Sequence, residues 1–276
     1  MLMPSADSAY AALATEALQD YAPAFAAKGL SLSPRAWDRD VGTGAGTLAL
    51  FAWGYHADAA RWTALLDKWP ADRPLFNPPA LMRWNMRKTY LCDLEAAGVP
   101  IVPSWFGDAD AGSITAAFAR FGTDQIIVKP QISAGSHQTY RLKADSPSVA
   151  LPMAILQPYL PAIVAEGEIS LLFIDGRYSH AVRKRASGDD FRCQPQFGGI
   201  ASSIEPDPEW RVIAERAMAA LPQSPLYARV DLIRRLDGTP GLMELEVIEP
   251  DLFPEHGKDV PLRLATAVAS RINNPG

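Results

Sequence analysis

Two segments in the C-terminal half of the sequence, EISLLFIDGRYSHAVRKRA (168–186) and LYARVDLIRRLDGTPGLMELEVIEP (226–250), each hold two strand-like runs around an Asp-Gly step. Asp-Gly between alternating runs marks a β-hairpin, because the tight turn needs positive φ at its central residues. A helix from Glu209 to Ala220, capped by Asp207, is expected between the hairpins. The second hairpin carries an anomaly. Residues two apart in a strand share a face, so Glu244 and Glu246 point one way and Leu245 and Val247 the other. If the Asp237–Gly241 loop closes symmetrically, Ile233 faces Glu244, Asp231 faces Glu246, and Arg229 shares their face. Two carboxylates roughly 7 Å apart repel by about 2 kcal/mol at an effective dielectric near 20. A solvated acidic edge would explain two glutamates. Three converging acids instead suit a divalent ion such as Mg2+, which takes hard oxygens and usually shares its shell with phosphate. Arg229 beside them suits a phosphate or a developing anion.

The 276 residues, 48% apolar, hold enough material for one large domain or two to three smaller ones. A net charge of −5 argues against nucleic acid or an anionic membrane as partner. No basic segment followed by an apolar core opens the chain, and no run approaches a membrane span, so a cytoplasmic protein is expected. Cys92 and Cys193 are too few and too far apart for a disulfide framework or a zinc site, and read as reduced thiols, Cys92 in the core. His56, His137, His180 and His256 lack metal-ligand spacing.

Along the rest of the chain, Ser5 or Asp7 is expected to cap a helix reaching about Lys28, and GTLALFAW (46–53) reads as a buried parallel strand. DAARWTALLDKW follows as an amphipathic helix. Asn77 with Pro78 opens another helix, and Asn85 caps a further one ending at Gly98. VPIVPSW is the next strand. A helix from Ser113 and strands QIIVKP, YRLK and MAILQPYL complete a middle lobe. Residues 1–76, 77–160 and 161–276 are the expected units.

Lys129 ends the apolar strand QIIVKP and is followed by the small-residue loop Ser133-Ala134-Gly135-Ser136, whose backbone N–H groups could wrap phosphate oxygens. A strand-end lysine reaching to water explains the same residues, and taken alone it is the better explanation. VGTGAGT (41–47) precedes a strand instead of following one, does not fit a dinucleotide fingerprint, and reads as a loop.

The order of the parts carries more than any one of them. Lys88, Lys129 with its loop, LQPYL, an acidic residue opening a hairpin, and an RVD…MELE hairpin resemble the ATP-grasp superfamily. LFNPPALMRWNMRKTYLCDLEAAGVPIVPSW, VKPQISAGS, LQPYLPAI and MELEVIEPDLF are similar to its glutathione-synthetase-like group, which includes cyclo-ligases of cycloserine biosynthesis.

The resemblance implies an α/β (α+β) fold: an N-terminal pre-ATP-grasp domain and two lobes clamping ATP. It implies that Lys88, Lys129 and Ser133 to Ser136 (with Ala134 and Gly135) bind the phosphates. Gln157, Tyr159 and Leu160 would line adenine, and Glu168, or its rival Glu166, would take the ribose. Lys184 or Arg183, with Arg229, would stabilise the transferring phosphoryl group. Asp231, Glu244 and Glu246 would hold one or two Mg2+, with Mn2+ an admissible substitute. The implied reaction forms an acylphosphate from a small-molecule carboxylate and lets an amine displace phosphate. A kinase making a phosphoester and a non-catalytic nucleotide-binding module are the alternatives. No nucleic acid or membrane partner is implied, and a homodimer is allowed but not required. The chain departs from the pattern in its short first strand, MLMP, and in Gly54, where relatives tend to have Asp. Trp53 and Tyr55 are accordingly read as packing residues, and Gly198 and Gly199 as points where backbone could approach a substrate.

Overall fold

The computed structural model describes residues 1–39, 43–147, 149–187 and 190–274. The first stretch holds β1 (Leu2–Met3), α1 (Ala11–Ala26), β2 (Arg35–Ala36), β3 (Thr47–Leu48), α2 (Ala59–Asp67) and β4 (Leu75–Phe76). Next come α3 (Pro79–Met86), α4 (Tyr90–Ala96), β5 (Trp105–Ala109), α5 (Ala111–Phe121), β6 (Gln125–Pro130), β7 (Tyr140–Lys143) and β8 (Leu151–Pro158). The remainder is α6 (Ala162–Ala165), β9 (Glu168–Ile174), β10 (Arg177–Arg185), β11 (Ile200–Ile204), α7 (Pro208–Ala219), β12 (Tyr227–Arg234), β13 (Pro240–Glu246) and α8 (Val260–Asn273).

In the first stretch β1 pairs with β2 and β3 with β4, both in parallel and only two residues long. The apolar run after Thr47 is buried as expected, but Ala49 to Ala52 leaves the strand and turns. Neither Ser5 nor Asp7 caps α1. The Ser5 hydroxyl donates to Asp38, a turn from Ser5 to Ser8 intervenes, and Tyr10 occupies the cap position. Val41 and Gly42 of the loop at 41–47 lie outside the described residues, and 43–46 is irregular.

The middle strands form a sheet in the order β5-β8-β6-β7, covered by α5, whose Asp110 and Ser113 make a reciprocal capping box. VPIVPSW does not form one strand. Ile101 bridges Leu242 in parallel and Val102 N–H donates to the Leu242 carbonyl, so this segment runs beside β13 before β5 begins.

The third stretch forms a five-stranded antiparallel sheet in the order β11-β10-β9-β12-β13. Asp175 and Gly176 both take positive φ at the first hairpin turn. In the second hairpin the expected register is corrected: Asp231 pairs with Glu244 and Arg229 with Glu246. Asp237 accepts bonds from the Thr239 N–H and hydroxyl, which tightens the turn around Asp237-Gly238, and a bulge follows Asp231. The slip is even for the acidic pair. All four charged residues therefore stay on one face.

The sheet's two faces differ. Ile169, Leu171, Phe173, Val230, Leu232 and Leu245 pack under Leu91, Leu94, Trp210 and Ala214 of α4 and α7. On the opposite face Leu172, Ile174, Val182 and Tyr227 meet Tyr21, Phe25, Phe51, Leu264 and Val268. That second face is apolar at one end only. Toward its other end stand Glu168, Ser170, Lys184, Arg229 and Asp231.

Asn77 and Asn85 are not helix caps. Asn77, in the left-handed region and fully buried, donates to the carbonyls of Tyr227 at 2.8 Å and Val247 at 2.7 Å, and its oxygen accepts Leu226 N–H at 2.5 Å. Asn85, inside α3, donates to Leu245 O at 2.8 Å and accepts Val247 N–H at 3.1 Å. Both amides satisfy backbone of β12, β13 and the residues after β13 that no strand covers. Asn77→Ala is expected to cost about 3 kcal/mol, because several buried backbone groups lose their partners. Urea denaturation checks this, and a change below about 1 kcal/mol would contradict it.

Candidate active site

The polar end of the five-stranded sheet is a strip of charges crossing four strands. On β10 and β9, Lys184 stands opposite Glu168 and ion-pairs with it, while also lying 3.4 Å from Asp231 Oδ1. On β12, Asp231 accepts Ser170 Oγ at 2.5 Å and both Nε and a terminal nitrogen of Arg229 at 3.0 Å. Arg229 also reaches Glu246 Oε1 at 2.5 Å across the β12–β13 pair. Lys88, between α3 and α4, donates to the Ser133 carbonyl at 2.7 Å and lies 3.0 Å from Glu244 Oε1. The repulsion expected between Glu244 and Glu246 is thus relieved by protein cations on either side.

The charges divide unequally. Burial works against the Asp231 carboxylate, but Arg229, Lys184 and two hydrogen bonds hold it well below the ordinary carboxylate range. Glu168 shares only Lys184, and burial pushes it up to about 7. Burial likewise raises Glu246 to about 7, with Arg229 offsetting part of the cost. Lys184 and Arg229 are pulled down by burial but lifted above their usual values by the carboxylates beside them.

Asp231, Glu244 and Glu246 share a face but do not form a three-carboxylate cage, and among the described residues no group of three metal-ligating side chains does. Asp231, 2% exposed, is consumed by Arg229 and Ser170. Glu244 and Glu246 are each about a quarter exposed, at 23% and 26%, and each has one carboxylate oxygen outside its ion pair. That donor pair suits Mg2+ completed by phosphate oxygens.

Lys129 is buried, and among the described residues no carboxylate lies within 4 Å of its ammonium; burial lowers its pKa. The adjoining loop has Gly135 and Ser136 in the left-handed region, with the Gly135 carbonyl accepting Gln196 at 3.2 Å. Ser133 Oγ donates to His137 O. The His137 ring lies 6.1 Å from that of His56, so the loop touches the first stretch of the chain.

Between the two sheets, Val102, Tyr159, Leu160, Ile163, Cys193 and Ile233 form an apolar cluster. Tyr159 N–H donates to Gln125 O at 2.9 Å and Gln157 Nε2 to Ser104 Oγ at 2.9 Å. Leu160 N–H has no acceptor among the described residues.

Three expected residues fall elsewhere. Arg183 pairs with Ile169 on the opposite face of β10, because neighbours in a strand alternate. Glu166 is tied to Arg234 at 2.8 Å, away from the strip. Cys92 is exposed, not in the core. The absent side chain of Gly199 makes room for the backbone of Cys193 and Gln194, not for a substrate.

His56 lines this region with a buried Nδ1 that has no hydrogen-bond partner among the described residues. Burial, with His137 and Lys88 nearby, lowers it to about 4. The unfolded chain binds a proton here near pH 6.5 and the folded chain does not, so stability falls as pH drops from 6.5 toward 4. His56→Phe is expected to lose about 2 kcal/mol less than the wild type between pH 7 and 4.5, read from urea denaturation at both. Parallel losses would contradict it.

No family model matches the chain. Its sequence is similar to the cycloserine biosynthesis protein DcsG of Streptomyces lavendulae, 32% identical over 241 residues that cover 80% of this chain and 81% of that protein. It is also similar to the glutathione synthetase of Prochlorococcus marinus (strain MIT 9313), 27% identical over 210 residues, 72% of this chain and 64% of that one. Its structure is similar to the crystal structure of the D-cycloserine synthetase DcsG, with a TM-score of 0.79 and 27% identity over 93% of this chain and 95% of that one. The ATP-grasp ligase PsnB, complexed with a phosphomimetic variant of a minimal precursor, Mg and ADP, shares the fold at a TM-score of 0.69 and 18% identity, covering 98% and 97%. No helix among the described residues is long and apolar enough to cross a membrane. With two sheets, the charged strip between them and a relative of this identity over most of both chains, the protein belongs to the ATP-grasp superfamily, in its glutathione-synthetase-like group of ATP-dependent carboxylate–amine ligases.

Proposed function

We propose that this chain activates a small-molecule carboxylate with Mg-ATP and joins it to an amine, in a second molecule or within the same one. The observation that carries this reading is the strip itself, in which Lys88, Lys129, Lys184 and Arg229 surround two carboxylates with free oxygens. Adenine fits the apolar cluster of Tyr159, Leu160 and Cys193, with the unengaged Leu160 N–H as donor. Lys129 and the loop at 133–136 take the phosphates with Lys88, and Glu168 the ribose. Glu244 and Glu246 would hold one or two Mg2+, or Mn2+ in their place. Asp231 would join them only where Arg229 and Lys184 turn to phosphate. The ion, when bound, neutralises phosphate charge and orients the γ-phosphoryl group.

In the first step a substrate carboxylate oxygen bonds to the γ-phosphorus and ADP leaves with the bridging oxygen. The amine then attacks the acyl carbon, loses a proton, and phosphate departs. Lys184 and Arg229 stabilise the charge on the phosphoryl oxygens and on the tetrahedral intermediate. No protein nucleophile is required. In this organisation residues 1–76 form the pre-ATP-grasp domain, and 77–160 and 161–276 the two clamping lobes, although the first shares its core with the third.

An ADP-release screen over paired acids and amines tests the reading, with mass spectrometry of the product. An amide mass is expected; a stable phosphoester would make the chain a kinase, and no release with any pair would count against catalysis. Lys129→Ala is expected to raise the KM for ATP about tenfold, since a buried cation contacting phosphate is lost. A normal ATP titration would refute that role.

A further inference from the structure

A cavity of about 320 Å3 lies outside the charged strip, between the end of α1, the loop before β3, and α8. Phe25, Leu48, Phe76 and Val268, all buried, form its floor, and Leu30 and Ile272, packed on the same core, flank them. None of the described residues around it also lines the small cavity at Glu244 and Glu246. The chain enters β3 at Thr47, on the large cavity, and reaches the strip only at Trp53, whose indole N–H donates to the Glu249 carbonyl. The two cavities are separate.

The rim is polar and carries one sign of charge. Among the described residues around the cavity Arg35, on β2, is the only charged one, and its guanidinium has no carboxylate within 4 Å and no hydrogen-bond acceptor among the described residues. In a chain of net charge −5, a cation without an acid beside an apolar floor is a complement for an anion. The N–H groups of Gly44, Ala45 and Gly46, on the same rim, also find no acceptor among the described residues. Gly46 brings this backbone against the floor, since a Cβ there would stand 2.6 Å from the Phe76 ring. The glycine-containing loop thus has a use although it lacks the dinucleotide fingerprint.

We propose that this cavity is a second small-molecule site, which takes a monocarboxylate with an apolar body. The body rests on Phe25, Leu48, Phe76 and Val268, and the carboxylate accepts hydrogen bonds from Arg35 and the free N–H groups of the loop. The volume suits a molecule of about a dozen non-hydrogen atoms. One cation and an apolar floor match a single charge better than a triphosphate, which the several cations of the strip suit instead. The site goes beyond the ligase reading and does not depend on it, because it shares no residue with the nucleotide and metal groups.

Equilibrium dialysis on the full chain tests this with 4-phenylbutyrate and octanoate, each beside its neutral amide, 4-phenylbutanamide and octanamide, and with acetate as an anion that has almost no apolar body. At least one of the two larger anions is expected to bind wild type about tenfold more tightly than its amide, and acetate not at all. Arg35→Gln should bring that anion down to the affinity of its amide and leave the amide unchanged, while Arg35→Lys keeps part of the difference. Leu30→Trp, which narrows the cavity from the partly exposed end of α1, should abolish binding of both; if that variant does not fold, the Arg35 pair decides alone. Saturating AMPPNP with Mg2+ should displace none of the bound anion. No binding of either larger anion to wild type, an amide as tight as its acid, undiminished binding to Arg35→Gln, or displacement by Mg-AMPPNP would overturn the proposal. Failure of the ADP-release screen would leave it standing and count against the ligase reading alone.

Discussion

Glu244→Gln combined with Glu246→Gln is expected to lower Mg2+-dependent ATP turnover by about 10³-fold or more while the protein stays folded. The substitution preserves shape and removes two negative charges, so the hard-oxygen pair that suits the ion is lost. Losing such stabilisation of the transferring phosphoryl group amounts to about 4 kcal/mol on the barrier. Stability should change little by comparison. Each side chain is about a quarter exposed, and Lys88 keeps the Ser133 carbonyl at 2.7 Å. Steady-state ADP release together with near-ultraviolet circular dichroism separates the two effects. Turnover within threefold of wild type would remove the metal assignment.

Arg229→Met should produce the largest loss of stability, about 3–5 kcal/mol, because it strands buried charge. Asp231 is 2% exposed and would keep only Lys184 and Ser170, while Glu246 would lose its one cation. The companion double variant, Arg229→Met with Asp231→Leu, also removes the fully buried Asp231 charge and leaves only Glu246, a quarter exposed, without its cation. It is expected to recover most of the stability but none of the activity, since a buried pair replaced by apolar groups is often close to neutral in stability. Urea denaturation of the two variants reads this directly. Equal destabilisation in both would mean that packing, not charge, holds this part of the sheet.

Much of this was legible in the sequence, for identifiable reasons. Asp175-Gly176 and Asp237-Gly238 announce turns that few other dipeptides tolerate, so the hairpins are plain. Face assignment survived a mistaken register because the side-chain period is two and the slip in the acidic pair was even. Lys184 and Arg183 are adjacent in sequence, and only the pairing of β10 with β9 tells which one joins the strip. Asn77 and Asn85 look like caps because Asn before an apolar run usually is one; their real partners lie some 150 positions away, at Leu226, Tyr227, Leu245 and Val247. The ion pairs that offset the acids are equally non-local. Lys88 and Glu244 meet through folding alone.

Calorimetric titration of the non-hydrolysable analogue AMPPNP, in excess Mg2+ and again in EDTA, probes the proposed strip most directly, in wild type and in the Glu244→Gln, Glu246→Gln double variant. The structure predicts that Mg2+ tightens wild-type binding at least tenfold and that the double variant shows no such gain. Equal affinity with and without Mg2+ in the wild type would contradict it.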